Sequence, residues 1–476
     1  MNSDDAMSTD AKRAMFSQFI GLGLDMYDMA VLIVMAPLLT KVFALHDASL
    51  AWQYLEVVFL YSIAMAARPL GSAFFGHYAD KIGRRRLLLI TMGGVGVMSL
   101  MSALTPTGHR VGSEVSYLIF SIIRLFMGIF FGGECACGHA FAIEHAPRQR
   151  RGFVSGFVQS GFSMGFAFAA IVVMTFSLWL GEKAMEDYGW RFVFATGTLP
   201  AAFALWIRSY LVESPEFERI KCEEAIAKTP FLTLFKPPTL WVFLQVSILM
   251  TGFFLTNYAI YQYLPSILKG PGKFSLVEYT IIYAVALFAS GVGYVLFGWL
   301  TDKFGRKRLT QLSFVIVAFC GIPIYKLLMY SAATPNFTLA ILAGVAAGMF
   351  KINWGVVPAY LSERFPTQNR SVGVGFGYSV GALVGGAGIT GLVALIHSLS
   401  AVGSIEGPNE LWLSASTALT IGAALCFSML ALGPETNNLE LSETGIQIEP
   451  IMGKESIAAH IPYSLPKRGA PFGPST

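Results

Sequence analysis

Apolar residues in this chain neither alternate nor recur on one helix face; they run for about twenty residues, stop at a short polar stretch and begin again. Such a run, if helical, matches the roughly 30 Å hydrocarbon core of a bilayer. Backbone in lipid must satisfy its own hydrogen bonds, so the runs read as helices. Spans are predicted near 16–41, 53–77, 86–105, 115–143, 153–180, 190–211, 241–268, 278–300, 309–331, 337–361, 371–398 and 411–433. Twelve spans predict an all-α membrane protein. The stretch "VESPEFERIKCEEAIAKTP" carries the densest charge between two spans and divides the chain. The expected parts are a polar tail 1–15, a first bundle 16–211, a linker 212–240, a second bundle 241–433, and a disordered tail 434–476 with several prolines.

Composition agrees: 54% of residues are hydrophobic and 13% charged, against roughly 25% charged in a soluble domain. A net charge of +4 held in short loops argues against nucleic acid as a partner. The opening "MNSDDAMSTDAKR" is polar and the first apolar run is long enough to remain as a span, so no cleaved leader is expected. Five cysteines, mostly within spans, offer no disulfide framework. "CACGH" puts Cys135 and His139 on a helix face that Cys137 does not share, which suits helix packing better than a metal; no metal or cofactor is expected. Lys81, Arg84, Arg85 and Arg86, then Arg148, Arg150 and Arg151, then Lys303, Arg306, Lys307 and Arg308 concentrate positive charge in alternate loops. That bias makes these loops, the linker and both termini cytoplasmic.

The charged loops are also a repeat. "GHYADKIGRRR" at 76–86 and "GWLTDKFGRKR" at 298–308 match at Gly76/Gly298, Asp80/Asp302, Gly83/Gly305 and Arg84/Arg306, each 222 residues apart. Glu144/Glu363 and Arg151/Arg370 match at an interval of 219. The chain is therefore a duplicated six-helix unit, two pseudo-symmetric bundles. Gly76 and Gly298 let helices approach closely, and Gly83 and Gly305 permit a tight turn. Asp80 and Asp302 can cap a helix start and pair with Arg84 or Arg306. Glu144 and Glu363 can complete a clasp with the basic residues of the neighbouring loop. The plainer alternative is positive charge that only fixes topology, but that would need neither the aspartates nor the matched glutamates.

On these motifs the chain resembles the major facilitator superfamily of transporters over essentially its whole length. "ARPLGSAFFGHYADKIGRRR", "GGE", "NYAIYQYLPSIL" and "SERFPTQNR" further resemble its metabolite:proton symporter branch, with some likeness to sugar porters. The resemblance implies alternating access between the two halves, with the loop networks holding the outward-facing state closed on the cytoplasmic side.

Charged residues inside spans are costly enough to imply function. Asp25 and Asp28 lie three apart on one face of the first span, with Gly21. Two carboxylates so close are not expected to ionise together, so one should exchange a proton. "YDMAV" and Arg124 resemble the sugar-porter pattern that pairs a first-helix aspartate with a fourth-helix arginine, which implies an Asp28–Arg124 pair. Glu134 lies off the Arg124 stripe and is either a second titrating group or a packing contact. Lys351, near the middle of span ten, needs an anion, either Asp25 or a substrate carboxylate. Asn353 and Trp354 beside it, and Asn257, Tyr261, Gln262 and Tyr263 in span seven, suit a binding wall. Arg68 lies toward the cytoplasmic end of span two and is read as reaching headgroups or the first loop.

The sequence thus predicts a plasma-membrane secondary transporter, monomeric in the bilayer, whose partners are a proton and a small organic anion, bound mid-membrane between the halves. Rival readings are a porter for an osmolyte or sugar, a membrane enzyme using "DMYD" to hold magnesium, a channel, and a non-transporting sensor. The duplicated clasp has no role in an enzyme or a steady pore.

Overall fold

The computed structural model of the chain describes residues 7–43, 50–261, 274–334, 336–399 and 408–441. Twelve long helical segments order the description: α1 (Thr9–Val34), α2 (Leu50–Ile82), α3 (Arg84–Leu104), α4 (Ser113–His145), α5 (Arg151–Leu180), α6 (Glu182–Ser209), α7 (Thr239–Tyr261), α8 (Leu276–Phe304), α9 (Arg306–Ala333), α10 (Phe337–Arg364), α11 (Arg370–Leu399) and α12 (Pro408–Leu432). Ten of them are long and apolar enough, by length and composition, to cross a bilayer; α2 and α11 fill the other two places. Their outer faces are apolar. Leu178 and Phe319 are 80% and 79% exposed, while arginines and aspartates are buried inside, the inverse of a soluble bundle.

Helix ends depart from the apolar runs where local capping decides. α1 begins at Thr9, seven residues before the expected start, because the Ser8 hydroxyl accepts the Ala11 N–H and Asp10 sits in the first turn. α10 is not continuous. It is helical over Phe337–Met349, tightens to a 3-10 turn over Ile352–Val356, and resumes at Val357–Arg364. Pro358 supplies no N–H to the preceding turn, so the break falls beside Lys351.

Each bundle has its own apolar core, one around Tyr27, Met92, Phe120 and Trp190, the other around Phe253, Phe314 and Trp354. The bundles meet where α2 packs on α11 and α5 on α8. At the α5–α8 crossing, a Cβ on Gly152 would strike the Gly298 carbonyl, and one on Gly298 would strike the Gly152 carbonyl. The halves touch there backbone to backbone.

The tail expected to be disordered from residue 434 is not so at its start. Residues 434–441 lie against the face that carries the basic loops, held by the hydrogen bonds described below; residues 442–476 lie outside the described residues.

Candidate functional site

The charges on α1 are distributed over three neighbouring helices. Arg124 of α4 donates to both oxygens of Asp28, at 2.6 and 3.0 Å, and to the Ser102 hydroxyl at 2.9 Å. The rings of Phe120 and Phe194 lie against its guanidinium. Arg68 of α2 donates to Asp25 through both terminal nitrogens, one at 2.8 Å. Arg68 therefore does not reach headgroups; it is 3% exposed. Pro69, one residue on, offers no N–H to the turn before it. Like charges on one helix face led to the expectation that Asp25 and Asp28 cannot both ionise; each faces its own guanidinium instead, which removes that argument.

Glu134 joins a third set. It accepts from Arg208 of α6 through both oxygens, one contact at 2.8 Å, and from the Thr91 hydroxyl at 3.1 Å. Arg208 also donates to the Ser17 hydroxyl at 2.6 Å. Charge in the first half is thus held as three bidentate arginine–carboxylate pairs, the strongest geometry for such groups.

The second half supplies an aromatic wall. Trp354 and Tyr378 both pack edge-on against Phe254, each at 5.1 Å between ring centres, and Tyr258 lies 5.9 Å from the same ring. Lys351 is 2% exposed at the break in α10, its ammonium 4.3 Å from the centre of the Phe162 ring of the first half. Asp25 pairs with Arg68, so the alternative that Lys351 takes Asp25 is not realised. Asn257 Oδ1, Asn353 Oδ1 and Trp354 Nε1 are buried with no hydrogen-bond partner among the described residues. Tyr261 is described only as the last residue of α7, and Gln262 and Tyr263 lie outside the described residues.

On the basic face, the duplicated motif makes the same contacts twice. Asp80 accepts the N–H groups of Ser371 and Val372 at 3.1 and 3.0 Å, at the start of α11. Asp302 accepts those of Gly152 and Phe153 at 2.7 and 2.8 Å, at the start of α5. Each aspartate caps a helix of the opposite half, where its charge meets the positive end of that helix. Arg84 lies 3.3 Å from Asp80 and 3.2 Å from Glu144; Arg306 lies 3.5 Å from Asp302 and 2.7 Å from Glu363. Arg370 reaches Glu144 at 2.6 Å, and Arg151 reaches Glu363 at 3.9 Å, so both glutamates also bind across the halves. Gly83 and Gly305 take φ of +108° and +93°, a backbone that a side chain would strain.

Several partners were not foreseen. Glu213 accepts from the N–H groups of Arg84 and Arg85, both at 3.1 Å, and Glu435 from those of Arg306 and Lys307 at 2.8 and 3.1 Å. They too stand 222 apart, a signal the repeat already offered. The Leu439 carbonyl accepts from Arg151 at 2.8 Å and the Leu441 carbonyl from Arg370 at 2.9 Å, so the start of the tail touches both halves. Nothing in the sequence singled out Arg208.

A family model described as Major Facilitator Superfamily matches residues 18–389. The chain belongs to the major facilitator superfamily. Among curated relatives, it is 27% identical over 374 residues to the sialic acid transporter NanX of Escherichia coli (strain K12), covering 79% of this chain and 84% of that one. It is also 27% identical over 390 residues to the ectoine/proline transporter ProP of Corynebacterium glutamicum, covering 77% and 75%. Among solved structures, the proton:xylose symporter XylE bound to 6-bromo-6-deoxy-D-glucose aligns with a TM-score of 0.75 over 93% of this chain and 100% of that one. At 19% identity that likeness is one of fold. This superfamily member is an integral membrane secondary transporter of small metabolites.

Proposed function

We propose that the protein is a proton-coupled symporter of a small organic anion, working by alternating access with the basic face cytoplasmic. The Asp28–Arg124 pair is the observation that carries the coupling. A buried carboxylate held by a guanidinium has two stable states, ionised and paired or protonated and released, and a transport cycle that favours one state at each side moves a proton with the substrate. The preference for an anion rests on the buried positive charges that both halves bring to mid-span, Arg68 from α2 and Lys351 from α10, set against a wall of aromatic and amide groups. The sialic acid transporter among the relatives carries an acid by name, which supports the same class. A zwitterion such as ectoine or proline, named for another relative, also presents a carboxylate and is the second reading.

The test is uptake by proteoliposomes with the outside made acid. Carboxylates, ectoine, proline and xylose are offered separately. Concentrative uptake of carboxylates that collapses when the pH gradient is dissipated is expected. Uptake confined to ectoine, proline or xylose would overturn the anion reading.

A further inference from the structure

Of the three arginines that pair with Asp25, Asp28 and Glu134, Arg68 is the one that faces the other half. Arg124 is enclosed by Asp28, Ser102, Phe120 and Phe194, all of the first half, and Arg208 by Glu134, Ser17 and Leu88 of the same half. Arg68 instead lies within electrostatic reach of Tyr258 on α7 and Tyr378 on α11. One turn further along α2, the Ser72 hydroxyl meets the Ser379 hydroxyl of α11 at 2.7 Å. The helix that carries Arg68 thus forms the seam between the halves, where the superfamily architecture places substrate.

Arg68 is also incompletely served. Asp25 occupies its two terminal nitrogens, while Nε, like that of Arg124, is buried with no hydrogen-bond partner among the described residues; at Arg68 that open edge lies on the helix that meets the other half. A guanidinium offers five donors in a planar fork that fits a carboxylate edge-on. We infer that Arg68 is the anchor for the carboxylate of the transported anion, and that Asp25 is the internal carboxylate which holds the same guanidinium until substrate replaces it.

The exchange has a charge consequence. When a substrate carboxylate takes the Arg68 fork, Asp25 is left buried without its cation, and a buried carboxylate in that position takes a proton from solvent rather than remain charged. Anion binding at Arg68 therefore takes up a proton at Asp25. The groups facing this pair are Asp28 on α1, Glu134 and Cys135 on α4, Tyr61 on α2, Tyr258 on α7 and Tyr378 on α11. Asp28 and Glu134 have their own arginines, and the neutral phenols and thiol cannot replace the lost cation. Protonated Asp25 binds Arg68 weakly, so substrate binding is favoured at low pH and weakens as pH rises.

This inference rests on the organic-anion reading, and the experiment separates the two. Binding to the detergent-purified full-length protein is measured by calorimetry from pH 6 to 8.5, with benzoate, lactate and sialic acid as probes that stay ionised throughout, and with proline and xylose as controls. In the unaltered protein the dissociation constant of the best carboxylate should rise with pH, by up to about tenfold per unit. Asp25→Asn should bind that probe more tightly at pH 8.5 and with no slope, because Arg68 then has no carboxylate competitor. Arg68→Gln should weaken it at least about tenfold, the loss expected when one fork of charge-assisted bonds goes. Should a single substitution fail to fold, the Asp25→Asn/Arg68→Gln double variant leaves no lone buried charge, and it should show weak binding at every pH. If the double variant or Arg68→Gln binds the carboxylate as the parent does, or if Asp25→Asn keeps the parent's slope, Arg68 and Asp25 form only a structural contact. If the parent binds proline or xylose and none of the net-anionic probes, the organic-anion reading itself falls.

Discussion

The basic face and the mid-span charges are built on opposite plans. On the basic face the contacts of the repeated motif exist twice: Asp80 with α11 and Asp302 with α5, Arg84 with Glu144 and Arg306 with Glu363, Glu213 and Glu435 on the following turns. The buried pairs exist once. Adding 222 to Arg68 gives Ser290, and adding 219 to Arg124 and Glu134 gives Ala343 and Asn353. A gate that must fasten two halves to each other needs matching parts on both. A coupling site needs its charges in one place, and at these matched positions the second half carries small residues and an amide.

The comparison is broken most severely at Asp28. Asp28→Asn fixes the neutral state, so accumulation driven by a pH gradient should lose the proton carried there and keep only the one taken up at Asp25, while exchange of labelled for unlabelled substrate continues. Exchange needs the halves to rock but no net proton cycle. Measuring both fluxes in proteoliposomes decides it, and loss of both together would reduce Asp28 to a structural role.

Next in size is the third pair, which contacts none of the second half's wall residues. Arg208→Gln strands Glu134 and should cost about 3–5 kcal/mol. The Glu134→Gln/Arg208→Gln double variant should recover most of that loss, because no lone charge remains. Thermal unfolding of the purified variants is the measurement. A single variant as stable as the parent would show that Glu134 is not held as an ion.

Smaller still, and sharpening the symmetry, Asp80→Asn and Asp302→Asn should each weaken the closed basic face by a similar amount, about 1–2 kcal/mol for a charged helix cap. Cysteines placed on either side should shift in labelling toward opening on the basic face, and the double variant should shift further than either. Clearly unequal shifts would mean the duplicated motif no longer does duplicated work. The smallest effect belongs to the exposed Arg148–Glu440 pair, 3.6 Å apart. Glu440→Gln should change the same labelling by less than about 1 kcal/mol.

The architecture was legible because bilayer length and backbone satisfaction leave few options for runs of twenty apolar residues. The clasp was legible because duplication writes it twice. Asp28 and Arg124 could be joined through a resemblance, but Asp25 and Arg68 could not. A lone arginine in a span has no periodic partner, and its place toward the cytoplasmic end of span two suggested headgroups or the first loop more than a buried pair. The order in 434–441 was hidden for a different reason. Its hydrogen bonds run partly through the Leu439 and Leu441 carbonyls, which every residue possesses and no composition reveals, and partly through Asn437, which exchanges bonds with Arg306 and Asp302 and has no counterpart at the 222 interval. The Glu213 and Glu435 contacts were within reach, since both obey the 222 interval already seen in the loops.

Coupling at α1 is the claim on which the functional account stands, and the steepness of accumulation tests it most directly. Internal over external carboxylate is measured at steady state in proteoliposomes while the imposed pH difference is varied and the membrane potential is clamped at zero. One proton carried at Asp28 and one taken up at Asp25 with each anion predict that the ratio rises on the order of a hundredfold per unit of pH difference, and that the rise falls to about tenfold in Asp28→Asn and vanishes in the Asp25→Asn/Asp28→Asn double variant. A ratio that stays at one whatever the gradient, or a slope unchanged by the substitution, would contradict it.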